Sequence, residues 1–200
     1  GEQAKLRNWK EGNMSHLYVA TNGLSVWSSA DLGETLLRMS TGTGLYSGSQ
    51  VWALALHPTL PHVLFAGTNS GIYRLDQEEE NWTHIPSPPD DAMIVSALAC
   101  APDHPETIIA GAQPAGLYRS EDGGKSWQKL SVPMKPYALT GYYLGDKPYP
   151  EGHPGAYGRK HWTRVTQIVF DPEDSSRVWA GVEIDGAWRS TDGGKQWERS

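Results

Sequence analysis

Little in this sequence offers a covalent crosslink. Cys100 is the only cysteine in 200 residues, which excludes an intrachain disulfide and any cysteine-based metal site. Its setting, Ala97-Leu98-Ala99-Cys100-Ala101, reads as that of a buried small hydrophobe, with a reactive thiol as the alternative. No apolar run approaches the roughly 18 residues of a membrane span, and no charged start followed by an apolar core marks a signal peptide. These absences predict a soluble chain without a membrane partner and favour the cytoplasm, export staying open. Positive charge is also scarce: 17 Lys and Arg stand against 23 Asp and Glu, a net charge of −6, and they are scattered. A nucleic-acid groove needs clustered cations, so no nucleic-acid partner is expected.

Phenylalanine is nearly missing, with two residues against nine Trp and nine Tyr. The aromatics retained are those that bury a face and keep a polar edge. With 22 Gly and 14 Pro, that balance suits short strands, tight turns and half-exposed sheets. The chain is a repeat. Ser120-Glu121-Asp122-Gly123-Gly124-Lys125-Ser126-Trp127 and Ser190-Thr191-Asp192-Gly193-Gly194-Lys195-Gln196-Trp197 share the pattern S-x-D-G-G-K-x-W. Upstream, Leu64-Phe65-Ala66-Gly67-Thr68, Ile108-Ile109-Ala110-Gly111-Ala112 and Val178-Trp179-Ala180-Gly181-Val182 align, each preceded by a strand pattern ending in proline. A first, diverged unit keeps Ser29, Asp31, Gly33 and Leu36, with Leu in place of Trp. A second keeps only Trp82 of the turn.

Trp82 and Trp127 are 45 residues apart, Trp127 and Trp197 70. Periods near 40 to 50 with four short strands each mark propeller blades. The expected fold is therefore all-β: a β-propeller of four-stranded antiparallel blades, about four of them (14–40, 48–86, 92–131 and 163–200), with an inserted loop at 132–164. Residues 1–13 read as a leader or added segment ahead of Met14. In the turn, Ser29, Ser120 and Ser190 with Asp31, Asp122 and Asp192 offer acceptors to backbone N–H groups. Gly33, Gly124 and Gly194 supply positive φ, and Trp127 and Trp197 cover the hairpin. Such a turn is structural. Catalytic acids or calcium ligands would need a second carboxylate or a denser oxygen set.

These motifs resemble the Asp-box, or BNR repeat, of sialidase-like β-propellers, over roughly residues 15 to 200. The resemblance implies that the Asp-box hairpins lie between the third and fourth strands of each blade, away from any active site. It fixes no chemistry, since that superfamily spans sialidases, xyloglucan hydrolases, sorting receptors and photosystem assembly factors. No Arg-Ile-Pro of the sialidase type occurs, so sialidase activity is not expected. The xyloglucan hydrolases place paired Asp residues between two propellers, and 200 residues are too few for two.

If one face carries the hairpins, the other collects the remaining turns: Asn22-Gly23, Ser47 to Gln50, Asn69-Ser70, Gln113-Pro114 and Glu183 to Asp185. It also collects the insert, rich in aromatics, including Tyr142, Tyr143 and Trp162. That loop reads as a lid or binding loop, or else as a segment packed over the rim or a partner subunit. Candidate ligand-binding residues are Gln50, Asn69, Gln113, Tyr142, Tyr143, Trp162 and Asp185. Candidate catalytic residues are Arg164 as clamp and Glu183 as base, helped by His161; a structural ion pair is the alternative. The seven histidines show no ligand spacing, so neither metal nor cofactor is expected. Two functions remain. One is a binding or scaffold propeller for a small molecule, a carbohydrate or a protein partner. The other is a hydrolase or lyase of the glycosyl-hydrolase kind, acting on a glycan-like or small polar substrate. Four blades fall short of the six to eight common in such rings, so the chain is expected to be part of a larger ring or to complete one by self-association.

Overall fold

A computed structural model describes residues 16–39, 44–76, 81–87, 94–134, 138–139, 143–144, 147–148 and 161–200. It contains strands and turns only, gathered into successive antiparallel sheets. The second unit is β4 (Val51–Leu56), β5 (Val63–Thr68), β6 (Gly71–Asp76) and β7 (Asn81–Ile85). The third is β8 (Ile94–Cys100), β9 (Ile108–Gln113), β10 (Gly116–Ser120) and β11 (Gln128–Lys129), and the fourth β16 (Val165–Asp171), β17 (Asp174–Val182), β18 (Gly186–Ser190) and β19 (Glu198–Arg199). In each, strands pair in chain order.

The first unit departs from the expected four strands. It holds β1 (Leu17–Ala20), β2 (Val26–Ser29) and β3 (Leu37–Met39), in that order. Through Ser29, which stands where Ser120 and Ser190 stand, these strands match the second, third and fourth of the other units. An innermost strand is missing from this blade among the described residues. Expecting four there assumed that Leu17–Ala20 follows an inner strand, as Val63–Thr68 follows Val51–Leu56.

β4, β8 and β16 lie side by side from one sheet to the next, with β1 beside β4, so the sheets fan around a common axis. Both faces of the middle sheets are apolar, which is why β5 reads Val-Leu-Phe-Ala-Gly-Thr without alternation and is buried throughout. Alternate residues serve opposite neighbours. Leu64 and Ala66 pack toward the first sheet, while Phe65 packs with Ile108 and Ala110 of the third. Ile109 in turn packs with Val178 and Ala180 of the fourth. Each of the larger side chains so buried contributes about 1.5 to 3 kcal/mol, and each alanine about 0.8 kcal/mol. Three apolar clusters thus join four sheets, and none joins the fourth to the first among the described residues. The result is an open arc.

Small residues let the blades approach. A Cβ on Gly67 would stand 2.7 Å from Val95 O, and one on Gly111 would stand 2.5 Å from Val165 Cβ. The insert adds two short ladders. β12 (Ala138–Leu139) pairs with β15 (His161–Trp162), and β13 (Tyr143–Leu144) with β14 (Lys147–Pro148). Its first residues are anchored, since Met134 is buried in the cluster between the third and fourth blades with Val132 against it.

The S-x-D-G-G turns link the third and fourth strands and share one geometry. Ser120 Oγ donates to Asp122 Oδ1 at 2.8 Å and accepts the Gly124 N–H at 2.9 Å; Asp122 Oδ1 also accepts the Ser126 N–H at 2.9 Å. Ser190 with Asp192, and Ser29 with Asp31, repeat it to within about a tenth of an ångström. The Ser126 hydroxyl and N–H, then the Ser120 hydroxyl, hold Asp122 down at about 2, and the Thr35 and Ser29 hydroxyls do the same for Asp31. At Asp192 burial opposes ionisation, yet the Gln196 and Lys195 N–H groups and the Ser190 hydroxyl leave its carboxyl below the usual range. Leu32 occupies the left-handed position, φ 58°, that Gly123 and Gly193 fill elsewhere.

Each tryptophan lies against the second glycine of its own turn, with Trp127 Cζ2 and Trp197 Cζ2 3.7 and 3.6 Å from where a Cβ on Gly124 and Gly194 would stand, but their indole N–H groups part ways. Trp197 Nε1 donates to Gly194 O of its own turn at 2.9 Å, but Trp127 Nε1 reaches back to Pro86 O of the previous blade at 2.7 Å. On the same side, His57 Nδ1 accepts the Leu60 N–H at 3.1 Å, making it a turn staple, and burial lowers its pKa. Cys100 is largely buried, and that burial pushes its thiol up to about 12, which makes it inert.

Candidate functional site

The face away from these turns is built by the starts of the inner strands and by the turns between second and third strands. Each inner strand carries a register shift at the same point: between Val51 and Ala53, between Val95 and Ala97, and between Val165 and Gln167. A bulge re-aims the extra side chain. The residues so displayed are Trp52, Ser96 and Thr166. Ser96 Oγ donates to Val165 O at 2.7 Å, tying the third blade to the fourth, and Thr166 Oγ1 donates to Gly181 O at 3.1 Å. Trp52 breaks the series, putting an indole where its counterparts put hydroxyls.

Arg164, from the fourth blade, lies over that indole with its Cζ 4.9 Å from the ring centroid, within cation–π range. Its Nε is 4.0 Å from Glu183 Oε2, and Glu183 N–H donates to Arg164 O at 3.0 Å. Side chains of both residues are about a third exposed. At that length and exposure the ion pair contributes well under about 1 kcal/mol, so a hydroxyl-bearing ligand can enter between the two groups at little cost. Trp52 Nε1 is buried and has no acceptor among the described residues.

Glu183 sits in the turn Glu183-Ile184-Asp185. Ile184 has φ 67° and is 62% exposed. A β-branched residue in the left-handed region is a strained choice, of the kind that gathers at functional sites. Asp185 does not face the ligand side as expected. It is 3% exposed, accepts Trp188 Nε1–H at 3.0 Å, and lies 3.8 Å from Arg199 Nη2. Its aspartate staples the turn and leaves Glu183 as the carboxylate this loop presents.

Of the other candidates, Gln50 and Asn69 come together: Asn69 N–H donates to Gln50 O at 3.2 Å, and Gln50 N–H to Asn69 Oδ1 at 3.3 Å. Asn22 bridges to Gln50 as well. Gln113 ends β9 on the same face. Tyr142 lies outside the described residues. Tyr143, His161 and Trp162 are placed as backbone only, Trp162 opposite Ala138 and Tyr143 opposite Pro148. No group of three His, Cys, Asp or Glu residues that could hold a metal occurs among the described residues, and no helix among them is long and apolar enough to cross a membrane. Trp52 went unnoticed in the sequence. Its signal was there, as the one aromatic at a position where the aligned blades carry Ser96 and Thr166.

No family model matches the chain. Among solved structures it is similar to an ancestral GH74 enzyme, with a TM-score of 0.66 at 21% identity over 92% of this chain and 22% of that one. It is similar also to the GH74 xyloglucanase of Xanthomonas campestris, with a TM-score of 0.61 at 20% identity over 94% and 28%. The chain is a partial β-propeller. Among curated proteins it is 31% identical, over 128 residues, to a probable oligoxyloglucan-reducing end-specific xyloglucanase of Neosartorya fischeri, covering 60% of this chain and 16% of that protein. It is 23% identical to xyloglucanase Xgh74A of Acetivibrio thermocellus, covering 87% and 28%. It is 30% identical, over 83 residues, to vacuolar protein sorting/targeting protein 10 of Aspergillus fumigatus, covering 40% and 5%. The chain therefore spans well under a third of each relative. That removes the objection from length, because a chain too short for two propellers still matches part of one.

Proposed function

We propose that this chain is part of a glycoside-hydrolase-type propeller that recognises a xyloglucan-like polysaccharide on the face opposite its S-x-D-G-G turns. The observation that carries this reading is the Trp52–Arg164–Glu183 constellation, assembled from the second and fourth blades. Arg164 covers one face of the indole, so a pyranose meets the guanidinium edge, whose fixed fork of N–H groups suits neighbouring hydroxyls. Glu183 accepts from a further hydroxyl. The similarity to proteins named xyloglucanases supports the same substrate class.

Hydrolysis requires a second carboxylate, about 5 to 9.5 Å from the first. Asp185 is engaged inside its turn, which favours a second reading in which this segment binds glycan without cleaving it. Native gels cast with xyloglucan, followed by a reducing-end assay, separate the two. Retardation with release of reducing ends supports the hydrolase; retardation alone supports the binding propeller. A chain neither retarded nor active overturns both. Arg164→Ala is expected to abolish retardation while moving the melting temperature by less than about 4 °C, because the long ion pair and the partly exposed cation–π contact it removes are both weak. A large loss of stability with retention intact would reassign Arg164 to the fold.

A further inference from the structure

The turn between the first two strands is aligned in three blades by Pro58, Pro102 and Pro172, which follow His57, Ala101 and Asp171. In each, the residue after the proline has an N–H that finds its acceptor in a different way. In the fourth blade Asp171 Oδ1 accepts the Glu173 N–H at 2.9 Å. In the third, Ala101 has no acceptor to give, and Ser175 Oγ reaches across from the next blade to take the Asp103 N–H at 3.2 Å. For the second blade that neighbour fails, because Pro105 stands where Ser175 stands. His57 supplies the acceptor itself: its Nδ1 takes the Leu60 N–H at 3.1 Å and the Thr59 N–H at 3.3 Å. The backbone closes alike in both turns, His57 N–H donating to Val63 O at 3.0 Å and Ala101 N–H to Thr107 O at 2.9 Å. An imidazole nitrogen accepts only without its proton, so this closed turn requires a neutral ring protonated on Nε2.

We propose that His57 is an acid-released latch: when its ring takes up a proton, the two N–H groups lose their acceptor and the turn at 58–62 opens while the rest of the blade stays folded. His62 of the same turn and Arg74 of β6 oppose a cation on this ring, and Glu106, from the matching turn of the third blade, favours one. Arg74 is itself paired with Asp76 at 3.2 Å. Glu106 is held in place, since its carbonyl accepts the Gly123 N–H at 2.9 Å. The protonated ring thus exchanges a bond inside its own turn for attraction toward the neighbouring blade. Burial is the chief cause that holds the closed ring below its ordinary 6.5, so an opened turn binds the proton more tightly than a closed one. Closure is complete above about pH 6.5 and is lost as pH falls toward the pKa of the closed form, about tenfold in the closed-to-open ratio per pH unit. Asp31 and Asp122 keep their charge down to about 2, so mild acid acts on this turn and leaves theirs in place. The inference is independent of the glycan reading, because the latch lies on the face opposite Arg164 and Glu183.

Amide exchange followed residue by residue by NMR, from about pH 7.5 to about pH 5, is the test. Protection of the Leu60 amide, corrected for its intrinsic rate, should fall about tenfold per pH unit below about pH 6.5 until the closed ring itself titrates. The Thr107 amide, which donates to His104 O at 2.7 Å in the third blade's turn, should keep its protection throughout. His57→Asp installs the acceptor that the fourth blade uses, and in that variant the fall at Leu60 should disappear. Ring-nitrogen shifts of the unaltered chain give a second readout that needs no variant: at neutral pH Nδ1 should be the bare nitrogen and Nε2 the protonated one. Level protection of Leu60 across the range overturns the proposal, as does an equal fall at Thr107, a fall that survives in His57→Asp, or a neutral ring that carries its proton on Nδ1.

Discussion

Gly111 tests whether close approach of the blades, more than strand propensity, holds this arc together. An alanine there puts Cβ 2.5 Å from Val165 Cβ and Cγ1 and 3.2 Å from Ala97 Cβ. Carbon contacts settle near 3.5 to 4.0 Å, so the third and fourth blades must part by about 1 Å. Overpacking of this kind costs about 1 to 3 kcal/mol, offset by about 0.4 to 1 kcal/mol from the lower entropy of the unfolded chain. The net expectation for Gly111→Ala is a loss of about 1 to 2 kcal/mol, or roughly 2 to 8 °C in melting temperature for a domain of this size. Gly67→Ala should behave alike, because it meets Val95 O at 2.7 Å and a carbonyl cannot rotate away. Gly181 holds the same repeat position with only Thr166 Oγ1 at 3.1 Å. Gly181→Ala should change stability by less than about 0.5 kcal/mol. Urea unfolding followed by tryptophan fluorescence measures all three, and Val165→Ala should recover only part of the Gly111→Ala loss, since it removes Cγ1 and keeps Cβ, the other atom struck. Equal losses at positions 111 and 181, or none at 111, would refute the account of the joint.

Three further outcomes follow from the turns. Ser120→Ala removes the acceptor of the buried Gly124 N–H, so urea unfolding should show a loss of about 1 to 3 kcal/mol, whereas Ser126→Ala, which deletes an exposed donor to Asp122, should lie within about 0.5 kcal/mol of the parent. Leu32→Gly relieves a left-handed leucine at 78% exposure; relief of about 1 to 2 kcal/mol against a glycine entropy cost of about 0.5 to 1 leaves a small net gain in melting temperature. Asp31 and Asp122 titrate at about 2, below their ordinary 3.8, so the unfolded chain binds protons first. The stability they contribute is complete above about pH 4 and drains away as pH falls through about 2. Melting temperature against pH should drop over that window, and Asp122→Asn should flatten the drop.

Sequence made the repeated parts legible because each is dictated locally. Gly67, Gly111 and Gly181 keep register with their strands, and Ser, Asp and Gly at fixed spacing determine a turn from within it. What it hid depended on contacts between blades. That the described residues of the first blade hold no inner strand shows only from pairing, where Leu17 faces Ser29 as Ile108 faces Ser120. The reach of Trp127 to Pro86 and of Arg119 to Gly193 needs the curvature of the arc. Asp185 looked exposed by its loop position, and only Trp188 three residues later shows why it turns inward. Arg164 and Glu183 were found from loop placement, but the indole beneath them was not, since a bulge leaves no mark in a single strand's pattern.

A repeat protein also supplies its own control for function. At a position that serves the fold, the blades agree: Val51, Val95 and Val165 stand immediately before the register shift of the three inner strands and are all buried. One residue further on, at the bulge, they are Trp52, Ser96 and Thr166; one residue before, they are Gln50, Ile94 and Arg164. Packing cannot explain that divergence, because the neighbouring backbone is nearly the same in each blade and a hydroxyl at the bulge satisfies a carbonyl wherever one is present. Trp52 gives up that bond and leaves its own N–H without an acceptor among the described residues, a cost of about 1 to 3 kcal/mol. Trp82 Nε1 is orphaned in the same way inside a core cluster, so it is the place of Trp52 against Arg164, more than its orphaned N–H, that supports the glycan reading proposed above.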